Sequence, residues 1–215
     1  MAKQARAEAT RQKILDASVE LFSDLGYGET GLADVLSRAG VSKGAFYYHF
    51  DSKEALATAI IDDFDRKAAI VVDGHFDMDS PKLAGLIEMT FGVQALMHRD
   101  PVTRVGQMLS QALGQVSDAG SKLYSGWTQR FVEMVERLVE AGEIRKDVVV
   151  VDVAETIWSG VLGAHLLSAA IGDDPYTRLA RTWRVMLRAV VDGGALPGFE
   201  ALLAETARHH RAVAG

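Results

Sequence analysis

There is no cysteine among the 215 residues, which excludes disulfides, thiolate catalysis and zinc sites built on cysteine. There is also no unbroken apolar run long enough to read as a membrane span. The longest, Val148 to Ile171, is interrupted by Asp152, Glu155 and His165, groups that a bilayer interior penalises. The expectation is a buried helix there, with no membrane partner. The opening residues, MAKQARAEATRQK, lack the apolar core of a secretory signal, which predicts a cytoplasmic protein. The G-x-S-x-G, H-E-x-x-H and P-loop patterns are missing too. No catalytic set can be assembled, no enzyme is expected and no cofactor is implied.

Positive charge is in short supply: the formal net charge is −6, at first sight a poor match for nucleic acid. Its distribution matters more than its total. Residues 1–13 carry a net +3 from Lys3, Arg6, Arg11 and Lys13 against Glu8, the first 53 residues are neutral, and residues 54–215 hold the whole −6. A DNA-binding surface, if present, is local, with the acidic remainder turned away from phosphate.

What is abundant is helical periodicity, and the fold class is all-α. From Ala7 to Leu25, Ile14, Leu15, Ser18, Leu21, Phe22 and Leu25 recur at helical spacing, and Gly26 stops the run. Thr30 is the expected N-cap of a short helix ended by Ala39-Gly40. Ser42 caps a second, KGAFYYHF, and Asp51 or Ser52 caps a third running from Lys53 into the seventies. The segment 73–81 is expected to be a loop, and further helices are expected over 81–98, 101–116, 120–141, 152–171, 175–192 and 198–212. Only Val148–Val151 reads as strand. The expected division is a helix-turn-helix domain over 1–53, a connecting helix over 53–72, and a larger domain over 73–215.

Three short helices in fifty residues, with a tight Ala39-Gly40-Val41 turn, fit a helix-turn-helix. Val41, Ala45, Phe46 and Phe50 share one side of the third helix and should pack on Leu21, Phe22, Val35 and Leu36. The other side then shows Lys43, Gly44, Tyr47 and Tyr48. Ordinary solvation favours Glu or Lys over exposed aromatics, whereas DNA suits this face. Gly44 lets backbone approach a groove, and the Ser42 hydroxyl and helix-terminal N–H groups fit phosphate oxygens. The tyrosines offer hydroxyls to phosphates and rings to thymine methyls. Lys43 can reach a guanine edge or a phosphate, and His49 and Lys53 can hold the backbone.

The stretch Thr30–Leu56, TGLADVLSRAGVSKGAFYYHFDSKEAL, resembles the signature of the tetracycline-repressor (TetR) family of regulators. That resemblance implies a homodimer of two-domain helical subunits, each with a variable ligand-binding core. By position it implies DNA contacts from Thr30, Ser42, Lys43, Gly44, Tyr47, Tyr48, His49 and Lys53. Phe46 stands where an aliphatic is commoner, and Gly31, read inside the second helix, should weaken it by ~1 kcal/mol relative to Ala. Further on, FGVQAL (91–96), PVTRVG (101–106) and YSGW (124–127) resemble the γ-butyrolactone receptors within that family, where a tryptophan at the position of Trp127 roofs the effector pocket. Trp127 and Phe131, at i, i+4, would face Thr90, Leu109 and Trp158 across a cavity.

Several patterns are weaker than they look. Gly26-x-Gly28-x-x-Gly31 copies a dinucleotide motif but follows a helix rather than a strand. Asp73, His75, Asp77 and Asp79 read as a solvated loop, since the spacing lacks the glycine and glutamate of a calcium loop. Asp62, Asp63 and Asp65 read as an exposed helix face, and His209-His210 as a solvated tail. The expected function is a repressor on an inverted-repeat double-stranded operator, released by a small hydrophobic effector such as a γ-butyrolactone. A different hydrophobic effector, or none, is the alternative. The dimer interface is expected on helices 152–171 and 175–192, using Gly160, Gly163 and Ala164 on the first and Trp183, Met186 and Leu187 on the second.

Overall fold

The computed structural model describes residues 2–114 and 118–214, which form ten helices with no strand among them. They are α1 (Ala2–Leu25), α2 (Leu32–Ala39), α3 (Lys43–His49), α4 (Lys53–His75), α5 (Leu83–Arg99), α6 (Pro101–Leu113), α7 (Asp118–Glu140), α8 (Val150–Ile171), α9 (Pro175–Val190) and α10 (Leu196–Ala214). Gln115 and Val116, expected at the end of the sixth helix, lie outside the described residues. The strand expected at Val148–Val151 is not formed: Val149 is the N-cap of α8 and Val150 opens it. A lone β-branched run has no partner to pair with, and the helix that follows absorbs it. The loop expected from residue 73 starts later, because α4 continues to His75, and Phe76 behind it is buried.

The contacts divide the chain into two units, and not at residue 53 or 73. One comprises Met1–Lys67 with Asp100–Leu123, the other Ala68–Arg99 with Tyr124–Gly215. In the first unit, Ile14 and Leu21 of α1, Val35 of α2, Phe46 and Phe50 of and after α3, and Leu56 of α4 form the core. Each such side chain contributes about 1.5–3 kcal/mol by leaving water. α6 joins this unit because it packs on α1 and α4. A Cβ on Gly106 would lie 2.5 Å from Phe64 Cβ and 2.9 Å from the Ile60 carbonyl oxygen.

The start of α6 is fixed by charge. Asp100 accepts from Val102 N–H at 3.1 Å and Thr103 Oγ1 at 2.9 Å, and Lys67 Nζ lies 2.5 Å from its carboxylate and 3.1 Å from Asp63. Burial pushes the Asp100 carboxyl up, but the hydrogen bonds from Lys67 and Thr103, the Lys67 charge and the Val102 N–H outweigh it and hold the pKa below the ordinary value. A depressed carboxylate contributes stability that is present above its unfolded pKa and lost as pH falls through its folded one. Asp100→Asn, which keeps the cap and removes the charge, should therefore cost about 1 kcal/mol at pH 7. That gap should close as urea melts are repeated below pH 4; a gap independent of pH would mean the Lys67 pairing contributes nothing.

In the second unit α9 packs on α8, α10 and α5. Asp174 caps α9 through Tyr176 and Thr177 N–H groups at 3.1 Å, with Pro175 at its first position. Glu143, from the turn after α7, accepts from Leu83 N–H at the start of α5 and pairs with Lys82 at 3.0 Å. Trp183 is fully buried and its indole N–H donates to Thr90 Oγ1 at 2.9 Å.

Two expectations about α8 and α9 are corrected here. Trp183, Met186 and Leu187 are buried within the subunit and are not on offer to a partner. A Cβ on Gly160 would strike Met186 and Thr182 of α9, and Ala164 is buried, so both serve packing inside the chain. Of the small residues only Gly163 faces open space. The large apolar side chains that remain exposed are Val151, Leu166, Leu167 and Ile171 on α8 and Val185 on α9. The histidines near the end are likewise no loose tail. His210 lies in α10 and stacks on Tyr176 at 5.6 Å and Phe91 at 6.0 Å. α8 is the one helix among the described residues long and apolar enough to cross a membrane by length and composition.

Candidate nucleic-acid interface and effector site

α3 begins at Ser42, whose hydroxyl accepts from Ala45 N–H at 3.2 Å, and follows a turn in which Gly40 adopts φ 64°, ψ 38°, the left-handed region that glycine occupies without strain. Val41 N–H closes that turn on the Leu36 carbonyl at 3.1 Å. Phe46, fully buried, and Phe50 anchor one side of α3 in the core. The opposite side is left out in solvent: Ser42, Lys43 and Gly44 are exposed, and so are Tyr47 (45%) and Tyr48 (73%). Lys43 Nζ sits 5.9 Å from the centre of the Tyr47 ring, and the Tyr48 ring meets His49 edge-on at 4.9 Å. A Cβ added to Gly44 would meet nothing within 4 Å. The packing of the fold does not itself require that glycine.

Two of the residues placed on DNA by position have structural employment. Thr30 is buried, with its hydroxyl 2.8 Å from the Gly26 carbonyl and 3.3 Å from that of Leu21. It does not cap α2. Gly31 is the N-cap, and its N–H is taken by Asp34 at 2.9 Å, so the helix-propensity cost expected for Gly31 does not apply. Lys53 Nζ donates to the carbonyls of Tyr27 at 2.8 Å and Thr30 at 2.9 Å and lies 4.3 Å from the Tyr27 ring centre. It ties the α1–α2 loop to the start of α4. Sequence reasoning missed this because the partners are 23 and 26 residues away.

The proposed effector residues fall into separate groups. Trp127 and Phe131 of α7 are brought together with Trp158 of α8: the Trp158 ring centre lies 6.3 Å from Trp127 and 5.3 Å from Phe131, both near-parallel, and 6.4 Å from Tyr124. The Arg130 guanidinium caps the Trp127 ring at 5.4 Å and pairs with Asp73. Thr90 belongs with Trp183 instead, and also donates to the Ile87 carbonyl at 2.7 Å. Leu109 is buried in the other unit, on α6. Tyr124 was not singled out in the sequence, though the YSGW pattern contains it. Also unforeseen is His165 of α8, which sits 3.2 Å from Gln94 of α5, its pKa lowered by burial. Asp73, His75, Asp77 and Asp79 assemble no metal site among the described residues.

Known proteins place this geometry in a class. Residues 14–60 match the bacterial regulatory proteins of the tetR family, and residues 101–186 match a tetracyclin repressor-like C-terminal domain. The chain is 31% identical over 198 residues to the A-factor receptor protein of Streptomyces griseus, covering 91% of this chain and 69% of that protein. Among solved structures, a γ-butyrolactone receptor (ArpA-like protein) shares 29% identity with a TM-score of 0.76, over 95% of this chain and 99% of that one. CprB from Streptomyces coelicolor, solved in complex with its biological operator sequence, shares 28% with a TM-score of 0.77, over 93% and 98%. The chain belongs to the tetR family: it is a DNA-binding transcriptional regulator, not an enzyme.

Proposed function

We propose that this chain is a homodimeric repressor that holds an inverted-repeat operator through α3 and releases it when a γ-butyrolactone-like effector binds. The observation that carries the DNA half is the exposed Ser42, Lys43, Gly44, Tyr47 and Tyr48 face on a helix whose other side is locked by Phe46. His49 and the backbone around Thr30 and Lys53 flank it. A two-fold dimer presents two such helices to successive major grooves, so half-sites should lie about 10 base pairs apart. The dimer face is the apolar strip Leu166, Leu167, Ile171 and Val185, which also explains a membrane-like helix in a regulator that works in the cytoplasm. The effector half is supported by the likeness to the A-factor and γ-butyrolactone receptors and by the aromatic group Trp127, Phe131 and Trp158.

Operators selected by the protein from random duplexes should be inverted repeats, and γ-butyrolactones bearing an alkyl chain should release them. Trp127→Ala should lose that release while still binding the operator, because the indole supplies a large apolar contact to any small effector. Release of the variant at the wild-type lactone concentration would remove Trp127 from the effector site. The stacking of Trp127 on Trp158 gives specific support to a second reading, a regulator with a filled core and no effector, and failure of every lactone to release wild type would favour it.

A further inference from the structure

Lys53 is the first residue of α4, where a positive side chain opposes the helix dipole. What compensates it lies between α1 and α2. The residue is half-buried, its ammonium donates to the carbonyls of Tyr27 and Thr30 at 2.8 and 2.9 Å, and its charge rests 4.3 Å from the centre of the Tyr27 ring. Tyr27 is itself seated. Its ring lies 5.4 Å from that of Phe22 in α1, and burial, followed by the charge of Glu54 in the first turn of α4, pushes its phenol pKa up. The Thr30–Gly31 peptide is held from both sides: its carbonyl accepts from Lys53, and its N–H donates to Asp34 in the first turn of α2 at 2.9 Å. Gly31 is the N-cap of α2, so this one peptide joins the start of α4 to the start of α2. From there α2 and the Gly40 turn lead directly to α3.

We infer that Lys53 is a positioning residue for operator binding: by holding the Tyr27 and Thr30 carbonyls it fixes the start of α2, and through α2 the exposed face of α3, and it makes no phosphate contact of its own. The inference rests on the operator reading proposed above. A phosphate oxygen could take this ammonium only in exchange for a carbonyl or the ring, and releasing either would free the segment at which α2 begins. A segment held before DNA arrives spares the complex the cost of ordering it. Without the tie, the protein should reach the same complex with the same phosphate contacts, but from a looser starting state. Affinity should then fall while its salt dependence stays as it was.

The test uses the full-length protein and its selected operator, titrated over a range of salt well below the melting temperature of each variant. Lys53→Met keeps the stem and removes the ammonium. It should bind more weakly than wild type by about tenfold or more, with an unchanged slope of log K against log salt. A slope flatter by about one would mean that Lys53 neutralises a phosphate, and would overturn the inference. Wild-type affinity in the folded variant would overturn it too, because a residue that serves stability alone lowers the melting temperature without weakening the protein that stays folded. Tyr27→Leu removes the ring and leaves the charge of residue 53 in place, so the test stays decisive even if Lys53→Met does not fold. It should weaken binding by about threefold or more, again with the slope unchanged, and wild-type affinity there would likewise overturn the inference. Failure of wild type to select any operator is a distinct result, and it would overturn the operator reading itself.

Discussion

Replacing Lys43 and Tyr47 together by alanine should weaken operator binding by about 3 kcal/mol, more than a hundredfold, while leaving the melting temperature nearly unchanged. Each side chain is exposed and contributes little to the core, and substitutions at such positions ordinarily shift stability by about 0.5 kcal/mol or less. Each, placed on a base edge or a phosphate, is worth about 1–3 kcal/mol. The two are not independent, since Lys43 Nζ lies 5.9 Å from the Tyr47 ring centre, so the double variant should lose somewhat less than the two singles added. Salt titration separates their roles. If Lys43 neutralises a phosphate, Lys43→Ala should flatten the slope of log K against log salt by about one; if it reads a guanine, the slope should hold while sequence preference relaxes. Unchanged affinity in the double variant would remove the exposed face of α3 from the DNA contact.

That face was legible from sequence because everything that makes it is local. The Gly40 turn, the Ser42 cap and the i, i+4 spacing of Phe46 and Phe50 act within ten residues, and they decide which side of α3 is buried. Thr30 and Lys53 show where this kind of reading stops. Their side chains have the right chemistry for phosphate, but carbonyls claim them: Thr30 is held by that of Gly26, four residues back, and Lys53 by those of Tyr27 and Thr30, 26 and 23 residues away. α9 shows the same limit in another form. Periodicity marks an apolar face on it but not what covers that face, and Trp183, Met186 and Leu187 turn out to be covered by their own subunit. In the effector region the i, i+4 pairing of Trp127 with Phe131 is a property of one helix and could be read, and so was the addition of Trp158. The hydrogen bond from Trp183 to Thr90 spans 93 residues and left no trace in the pattern. The assignment of α6 to the DNA-binding unit is also a tertiary fact, set by a glycine that looks ordinary in the sequence.

That glycine gives the second large effect. Gly106→Ala should destabilise the protein by about 2 kcal/mol, and Gly106→Val by about 4 kcal/mol. Helix propensity argues the other way, since alanine inside a helix is favoured over glycine by about 1 kcal/mol. Geometry decides the sign. The new Cβ would lie 2.5 Å from Phe64 Cβ and 2.9 Å from the Ile60 carbonyl oxygen. Neither atom is the end of a flexible side chain, so α6 or α4 must move as a whole. Gly44 is the matched control: it too is inside a helix, but its added Cβ would meet nothing within 4 Å. Gly44→Ala should therefore gain stability from propensity, up to about 1 kcal/mol, while losing operator affinity if DNA backbone approaches α3 there. Urea melts of the two alanine variants should diverge in opposite directions from wild type. A Gly106→Ala protein as stable as wild type would show that α6 does not rest on α4 at this point.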